Sequence, residues 1–327
     1  MKEAQFYSRK ENLVQCQLCP HYCKLKDGQT GICSVRRSED NKLYSLNYGD
    51  VSSSGMDPIE KKPLYHFYPG SPILSIGTWG CNFKCPFCQN WRISQEKPVV
   101  QEYTPQRVVQ TALDKNSMGI AYTYSEPVVW YEFVRETSEL AAEKGLKNVL
   151  VTNGYINQKP LEELLPYIDA ANVDLKSATD NFYREYCQGK RKPVLESIKL
   201  MASHIHLELT TLVITDLNDD LVEMKELVGW IKELDSGIPL HLSRYFPNYK
   251  MDKEQTALDK MRQIYEMAAG ELDYVYLGNT GLAGYNNTCC PDCGTEVISR
   301  KQYRTTSRIE DGHCPDCGFK IAGEFKS

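Results

Sequence analysis

Three cysteines in one short loop have the residue type and spacing best suited to chemistry in this chain. Cys81, Cys85 and Cys88 follow one another as C-x3-C-x2-C within the segment GCNFKCPFCQNW, residues 80–91. Three thiolates on one loop can ligate three irons of a cubane cluster and leave the fourth iron open to another ligand. A zinc knuckle is the alternative, but zinc sites usually pair their ligands as C-x2-C and need a fourth ligand, which this loop does not supply. The spacing therefore predicts an iron-sulfur site with one open iron.

A second group of cysteines lies near the amino terminus, at Cys16, Cys19, Cys23 and Cys33. The chain has 13 cysteines and an amino-terminal segment without a signal-peptide pattern, which indicates metal binding and not disulfides. Short spacings with interspersed Pro and Gly can point four sulfurs at one site, and little else in this segment could hold it folded. We favour structural zinc here, with an auxiliary iron-sulfur cluster as the alternative. His21 lies inside the loop and is predicted to be a turn residue.

A third group is repeated at the carboxy terminus, where CPDCG occurs at residues 290–294 and again at 314–318. Two such C-x2-C knuckles predict a tetrahedral site of four sulfurs, formed by Cys290, Cys293, Cys314 and Cys317. We interpret it as a zinc ribbon, with a single iron of the rubredoxin kind as the alternative. Cys187 stands outside all three groups and is predicted to be a small buried hydrophobic residue.

The elements that must position the central cysteines follow an alternating pattern of strand and helix. The run PILSIG, ending at Gly77, predicts a buried strand directly before the cysteine loop. Six further strands alternate with helices after the loop, which predicts parallel β/α units and an open, partial β/α barrel of the TIM type. We therefore expect an α/β fold with three parts: a Cys-rich segment and lead-in (1–69), the barrel (70–285) and a metal-binding module (286–327). Small metal modules would lie at both ends of the chain.

Polar residues follow several of the predicted strands. The carboxyl ends of parallel strands form the active-site face of β/α barrels, so these side chains are expected near the cysteine loop. They are Glu126 after the second strand, Thr152 and Asn153 after the third, and Asp174 and Lys176 after the fourth. Two structural alternatives are open: Ser125 as a helix cap with Glu126 in the first turn, and a plain ion pair between Asp174 and Lys176.

The sixth predicted strand, LHLSRY, carries two further candidates, His241 and Arg244. The guanidinium of Arg244 matches carboxylate or phosphate geometry and could receive an anionic substrate. Tyr245 and His66 are further candidates for lining the mouth of the barrel.

The composition, with 41% apolar and 25% charged residues, is that of a globular protein. The net charge of −5 argues against binding to nucleic acid through phosphate contacts. No apolar run reaches the roughly 20 residues that a membrane span requires. We expect a cytoplasmic protein with no membrane association.

Together these motifs resemble a known family. The four-cysteine amino-terminal motif, HFYPGSPILSIGTWGCNFKCPFCQNWRISQ, YTYSEP, VTNGYI, NVDLKS, HLSRYFPNYKM and the paired knuckles look like the AmmeMemoRadiSam system radical SAM enzymes. That family is related to the pyruvate formate-lyase activating enzymes. The resemblance covers nearly the whole chain, and the long central motif is its most specific part.

The resemblance implies a [4Fe-4S] cluster on the central cysteines, S-adenosylmethionine on its open iron, and reductive cleavage to a 5'-deoxyadenosyl radical that abstracts hydrogen from a substrate. It also implies that Glu126 receives the methionine ammonium, that Lys176 faces the carboxylate with Asp174 beside it, and that His241 lies on the adenosine side. Implied partners are an electron donor of the flavodoxin or ferredoxin type and Memo-like and AMMECR-type proteins.

Three functional readings are open at this point. The substrate is a small molecule in the first and a partner protein in the second, as for a glycyl-radical-enzyme activase. The third is a non-catalytic zinc-binding scaffold, which requires the central loop to hold zinc or no metal.

Overall fold

The amino-terminal segment forms small antiparallel sheets in the computed structural model, which describes residues 1–10, 12–301 and 304–326. Its strands are β1 (Lys2–Glu3), β2 (Tyr7–Lys10), β3 (Leu13–Cys16), β4 (Lys24–Leu25), β5 (Arg36–Glu39), β6 (Lys42–Ser45) and β7 (Asp50–Val51). Strands β1, β6 and β5 form one sheet and β2, β3 and β4 another. The predicted amino-terminal cysteines lie on the second sheet and on the turns that follow it.

An eight-stranded sheet forms the centre of the molecule. Its strands are β8 (Ser53–Pro58), β9 (Pro72–Gly77), β11 (Gly119–Tyr122), β12 (Lys147–Thr152), β13 (Ala170–Asp174), β14 (His206–Val213), β15 (Leu240–Arg244) and β16 (Val275–Gly278), while the short β10 (Gln101–Glu102) pairs with β7. Strand β9 and strands β11 to β16 are parallel neighbours in chain order, and β8 pairs antiparallel with β9. The order runs from β16 to β8 without closing among the described strands. The prediction of an open β/α barrel is confirmed.

Helices connect the parallel strands as the alternating pattern predicted. They are α2 (Pro105–Asp114), α3 (Tyr131–Glu143), α4 (Gln158–Leu164), α6 (Arg191–Ala202), α7 (Leu221–Asp235) and α8 (Leu258–Ala269), with the short α1 (Trp91–Ser94) and α5 (Asp180–Phe182) in loops. Local chemistry sets their starts: Thr104 accepts a hydrogen bond from Arg107 N, and Asp220 accepts from Val222 N and Glu223 N. None of the described helices has the length and apolar character that a membrane span requires.

The carboxy-terminal module covers the amino-terminal end of the barrel strands. It contains β17 (Thr288–Cys289), β18 (Glu296–Lys301) and β19 (Arg304–Ser307). Arg300 donates to Tyr65 O at 2.6 Å, and Ala322 O lies 2.6 Å from His66 Nδ1. The other ring nitrogen of His66 lies 2.5 Å from the hydroxyl of Tyr276, which follows the start of β16. We call this covered amino-terminal end of the strands the floor of the barrel. His66 is fully buried in the floor, so the prediction that it lines the mouth is wrong.

A buried carboxylate organises the same floor. Glu208, near the start of β14, accepts hydrogen bonds from Tyr65 N, His66 N, His206 Nε2 and His241 Nε2. Burial alone would raise the pKa of Glu208, but the hydrogen bonds from the two imidazoles hold it well below its usual range. The carboxylate of Glu208 is therefore satisfied within the floor, where four donors surround it.

Candidate active site

The cysteine loop follows directly on β9, as the sequence predicted. Gly80 has φ +91°, and a Cβ built there would lie 2.7 Å from Cys33 O. A side chain at this position would push the loop away from the amino-terminal segment, which explains the glycine. Within the loop, Asn82 Nδ2 donates to Tyr155 O at 2.8 Å, and Cys88 Sγ lies 3.2 Å from Ser94 Oγ. The loop is thereby fixed to the segment after β12 on one side and to α1 on the other.

Glu126 and Thr152 meet at the ends of β11 and β12. One carboxylate oxygen of Glu126 accepts from Thr152 Oγ1 at 2.6 Å and from Val128 N at 3.0 Å, and the other accepts from Asn153 N at 2.8 Å. Glu126 itself caps the turn Pro127–Trp130, so the predicted cap at Ser125 is wrong. Burial raises the pKa of Glu126 to about 7 despite these three donors. A cation placed beside this carboxylate would restore its charge.

Asn153 joins the end of β12 to the cysteine loop. Its Nδ2 donates to Asn82 Oδ1 at 2.9 Å and lies 3.7 Å from Cys81 Sγ. Its Oδ1 accepts from Tyr155 N at 2.9 Å, which orients the amide. Two predicted site residues, Asn153 and Cys81, are therefore in contact.

Asp174 and Lys176 form an ion pair at the end of β13, with Lys176 Nζ 2.7 Å from Asp174 Oδ2. Burial alone would lower the pKa of Lys176, but the charges of Asp174 and of the nearby Cys85 raise it. The ion pair that was one of the sequence alternatives is present, and its lysine faces the central cysteines. A role toward a ligand is compatible with it, because Asp174 keeps a second oxygen.

The segment after β15 covers the cysteine loop from the other side. Lys250 N donates to Pro86 O at 2.9 Å, and the rings of Tyr249 and Trp91 stack with centroids 5.1 Å apart. The motif FPNYK therefore supports the loop mainly through backbone and aromatic contacts.

The residues of β15 lie differently from the prediction. His241 is the second residue of the strand and donates to Glu208 at 2.6 Å, so it belongs to the floor and its predicted place on the adenosine side is wrong. Tyr245 is buried, with its hydroxyl bonded to Met251 O at 2.9 Å, and does not line a mouth. Arg244 Nε donates to Thr256 O at 2.6 Å, and its guanidinium lies over the ring of Phe246, 4.9 Å from the centroid. These contacts hold the side chain but leave its outer nitrogens for another partner.

Two residues of the site were missed from the sequence. Asn82 links the cysteine loop to Asn153, and its position between two cysteines of the motif was the available signal. Cys187 lies fully buried beside Cys85, and Lys84 N donates to Cys187 O at 3.0 Å. The prediction that Cys187 is buried is confirmed, but nothing in its sequence context indicated a neighbour in the cysteine loop.

The residues of this site lie within a segment that matches a known protein family. Residues 75–228, which contain the cysteine loop and the ends of β11, β12 and β13, match the family model of the Radical SAM superfamily. The chain belongs to the radical SAM superfamily.

Relatives of this radical SAM protein extend the match. An uncharacterized protein of Methanocaldococcus jannaschii is 41% identical over 98% of this chain and 99% of its own. The pyruvate formate-lyase 1-activating enzyme of Escherichia coli is 27% identical, over 43% of this chain and 61% of the enzyme. The structure of Streptococcus suis SuiB bound to S-adenosylmethionine is similar with a TM-score of 0.52 and 15% identity, over 68% of this chain and 53% of SuiB. This last similarity supports the shared fold.

Membership of the superfamily implies a [4Fe-4S] cluster and S-adenosylmethionine, and the central loop fits that cluster. Burial raises the pKa of Cys81 well above its ordinary value, and contact with Cys187 together with burial does so for Cys85. These thiols become thiolate ligands when a metal supplies positive charge. Across the described residues, Cys81, Cys85 and Cys88 do not gather closely enough for a single ion.

The carboxy-terminal cysteines form a site of different size. The ligand atoms of Cys290, Cys293, Cys314 and Cys317 all lie within 4.8 Å of one another, with Sγ pairs at 3.5 and 3.7 Å. A tetrahedral ion with metal-sulfur bonds of about 2.3 Å needs sulfurs about 3.8 Å apart. The predicted four-sulfur site is present and fits one zinc or iron ion. It lies in the module that covers the floor, at the opposite end of the strands from the central cysteines.

Proposed function

We propose that this radical SAM protein belongs to the AmmeMemoRadiSam type and abstracts hydrogen from a substrate that is yet to be identified. When bound, the cluster and S-adenosylmethionine supply one-electron cleavage of the sulfonium and a 5'-deoxyadenosyl radical. The observation that carries the proposal is the convergence of Glu126, Thr152, Asn153 and the Asp174–Lys176 pair on the loop of Cys81 and Cys85. The chain's own residues bind and orient the nucleotide and exclude water.

In this proposal each polar group has a distinct task. Glu126 receives the methionine ammonium, because a buried carboxylate with a raised pKa gains its charge from a neighbouring cation. Lys176 faces the methionine carboxylate, with Asp174 holding its ammonium in place. Thr152 and Asn153 fix the Glu126 carboxylate and line the ribose side.

Arg244 is the proposed contact for an anionic substrate, because its terminal nitrogens extend beyond the bond to Thr256 O. The hypothesis that the substrate is a small molecule depends on this residue. A glycyl-radical-enzyme activase, acting on a partner protein, is the second candidate, and the similarity to the pyruvate formate-lyase 1-activating enzyme favours it. Arg244→Ala should weaken use of a small anionic substrate but leave activation of a protein partner within about twofold, because rim charges contribute little to large interfaces.

The wider setting is also part of the proposal. We infer a cytoplasmic protein divided at about residues 69 and 285, which receives electrons from a donor of the flavodoxin or ferredoxin type. Association with Memo-like and AMMECR-type proteins follows from the AmmeMemoRadiSam assignment. A non-catalytic zinc scaffold is disfavoured, because the central cysteine loop lies in the segment that matches the Radical SAM superfamily.

The experiment is anaerobic cleavage of S-adenosylmethionine. The reconstituted protein is mixed with dithionite and S-adenosylmethionine, and 5'-deoxyadenosine is quantified for the parent, Cys85→Ala and Cys289→Ala. Cys289 is an exposed thiol outside the central loop and serves as the matched control. Product from the parent and Cys289→Ala, but not from Cys85→Ala, supports the proposal. A parent that holds zinc in the central loop and forms no product would support the scaffold instead.

A further inference from the structure

The four amino-terminal cysteines line one cavity. Cys16 ends β3, Cys19 and Cys23 lie in the following turn, and Cys33 precedes β5; all four are free thiols. A Cβ at Gly31 would touch Cys23 Sγ at 3.4 Å, so the glycine leaves room beside that sulfur. The cavity is therefore built around sulfur.

The sulfur atoms of this group are spaced differently from those of the carboxy-terminal site. Within residues 1–10, 12–301 and 304–326, the group gathered closely enough for a single ion is Cys290, Cys293, Cys314 and Cys317. The amino-terminal thiols are not gathered in this way, although they share a cavity. They resemble the central cysteines in this respect. The four thiolates of a cubane cluster each bind a different iron, so they need not lie within the distance that ligands of one ion require.

A buried arginine provides evidence about the ligand of this cavity. Arg36 is 2% exposed and lines the cavity. Its terminal nitrogens donate to Glu132 Oε1 at 2.6 Å and to Gln5 O at 3.0 Å, but its Nε is buried without a partner. A buried N–H without an acceptor is costly, and sulfur of a bound cluster would supply one. The charge of Arg36 is itself paired with the buried carboxylate of Glu132, so the contribution of the arginine to the cavity is this N–H donor.

The cavity adjoins the central cysteine loop. His21, between Cys19 and Cys23, donates from Nε2 to Asn82 O at 2.7 Å, and Asn82 is the residue after Cys81. On the other side, Gly80 packs against Cys33 O so closely that a Cβ would lie 2.7 Å from it. The two cysteine groups are thus linked by direct contacts between their own loops.

We propose that Cys16, Cys19, Cys23 and Cys33 hold a second [4Fe-4S] cluster, in place of the zinc favoured from sequence, and that it passes electrons to the cluster at Cys81, Cys85 and Cys88. Each iron has its own thiolate, so no coordination position is left for a substrate. A one-electron donor of the flavodoxin or ferredoxin class reduces this cluster by one electron. The same electron then passes to the central cluster, so the second cluster returns to its oxidised state. The transfer step rests on the proposed function, whereas the identity of the cluster does not.

The identity is tested with a variant that lacks the central ligands, Cys81→Ala/Cys85→Ala/Cys88→Ala. After anaerobic reconstitution we expect about four irons and four sulfides per chain and a cubane Mössbauer spectrum, carried by the amino-terminal cysteines. Sulfide content separates this cluster from a single iron at the carboxy-terminal site. Zinc at both ends with no sulfide would overturn the proposal. The result is independent of 5'-deoxyadenosine formation, so a parent without cleavage activity could still hold the second cluster.

The electronic contact is tested by electron paramagnetic resonance of the reduced parent and of two variants with one cluster each. The second variant is Cys16→Ala/Cys19→Ala, and its folding is checked by circular dichroism. We expect the parent spectrum to be broadened by coupling between the two reduced clusters. A parent spectrum equal to the sum of the two variant spectra would refute the close approach of the two clusters on which the proposed transfer depends. If the second variant does not fold, power saturation of the parent signal against the first variant gives the same answer.

Discussion

Asn153 Nδ2 lies 3.7 Å from Cys81 Sγ, while the backbone nitrogen of the same residue donates to Glu126 at 2.8 Å. One residue thus connects the cysteine loop to the carboxylate proposed to receive the methionine ammonium. The distance between these two groups is therefore set by a single rigid strand end and not by two independent loops.

Replacement of Asn153 by alanine is expected to lower the rate of 5'-deoxyadenosine formation by about tenfold, because the Cys81 loop loses a fixed contact and reacting groups shift. The iron content should stay at the parent value, since no ligand is removed. Asn181→Ala is the matched control, because its side chain accepts a hydrogen bond from Arg184 at an exposed position. Loss of iron in Asn153→Ala would contradict this positioning role.

Replacement of Lys176 by methionine is expected to weaken S-adenosylmethionine binding by about tenfold to a hundredfold, because a charge-assisted hydrogen bond contributes about 1.5–3 kcal/mol. Isothermal titration of the anaerobically reconstituted protein measures the change. Lys147→Met removes an ion pair with Asp169 at the start of β12 and is the control. Equal affinity in the parent and Lys176→Met would exclude contact with the methionine carboxylate.

The raised pKa of Glu126 predicts a pH dependence of stability. The folded protein keeps this proton up to a pKa of about 7, whereas the unfolded chain loses it near 4.5. Stability is therefore expected to fall as pH rises from 4.5 to 7, by about 3 kcal/mol at 1.36 kcal/mol per pKa unit.

Thermal unfolding of the metal-free parent and Glu126→Gln at several pH values checks this dependence. The variant should lack the Glu126 contribution, so the difference in Tm between variant and parent should grow with pH. A constant difference would mean that Glu126 has an ordinary pKa in the fold.

Replacement of Gly80 by alanine is expected to lower the free energy of unfolding by about 1–3 kcal/mol or more, from strained φ and contact with Cys33 O. Gly284→Ala is the matched control, because its φ is +88° but no atom lies within 4 Å of the added Cβ. The difference in Tm between the variants isolates the contact. Equal losses would show that the two cysteine loops do not depend on close approach at Gly80.

The sequence predicted the barrel because its parallel strands are continuous apolar runs bounded by turn residues, as in Pro72–Gly77. It did not indicate that Ser53–Pro58 completes the sheet, since SSGMDP is polar and the strand lies at an edge. The sequence also did not show whether a residue lies near the start or near the end of its strand. His241 and Asp174 both lie on parallel strands, but His241 is at the start of its strand and Asp174 at the end, which separates the floor from the site.

The contacts between site residues were also predictable only in part from the sequence. The convergence of Glu126, Thr152 and Asn153 followed from parallel topology, which brings strand ends together. The place of Cys187 beside Cys85 depends on the turn Tyr183–Cys187, whose π-type geometry has no simple sequence pattern.

The module that covers the barrel floor is synthesised after all the strands of the barrel. The imidazole of His66 gains its second hydrogen-bond partner from Ala322 O, which lies 256 residues later in the chain. The barrel strands are neighbours in chain order, whereas this contact of the floor requires a segment made after all of them. The floor of the barrel is thus completed by a contact between residues far apart in the sequence, and one of them lies in the segment that follows Cys317.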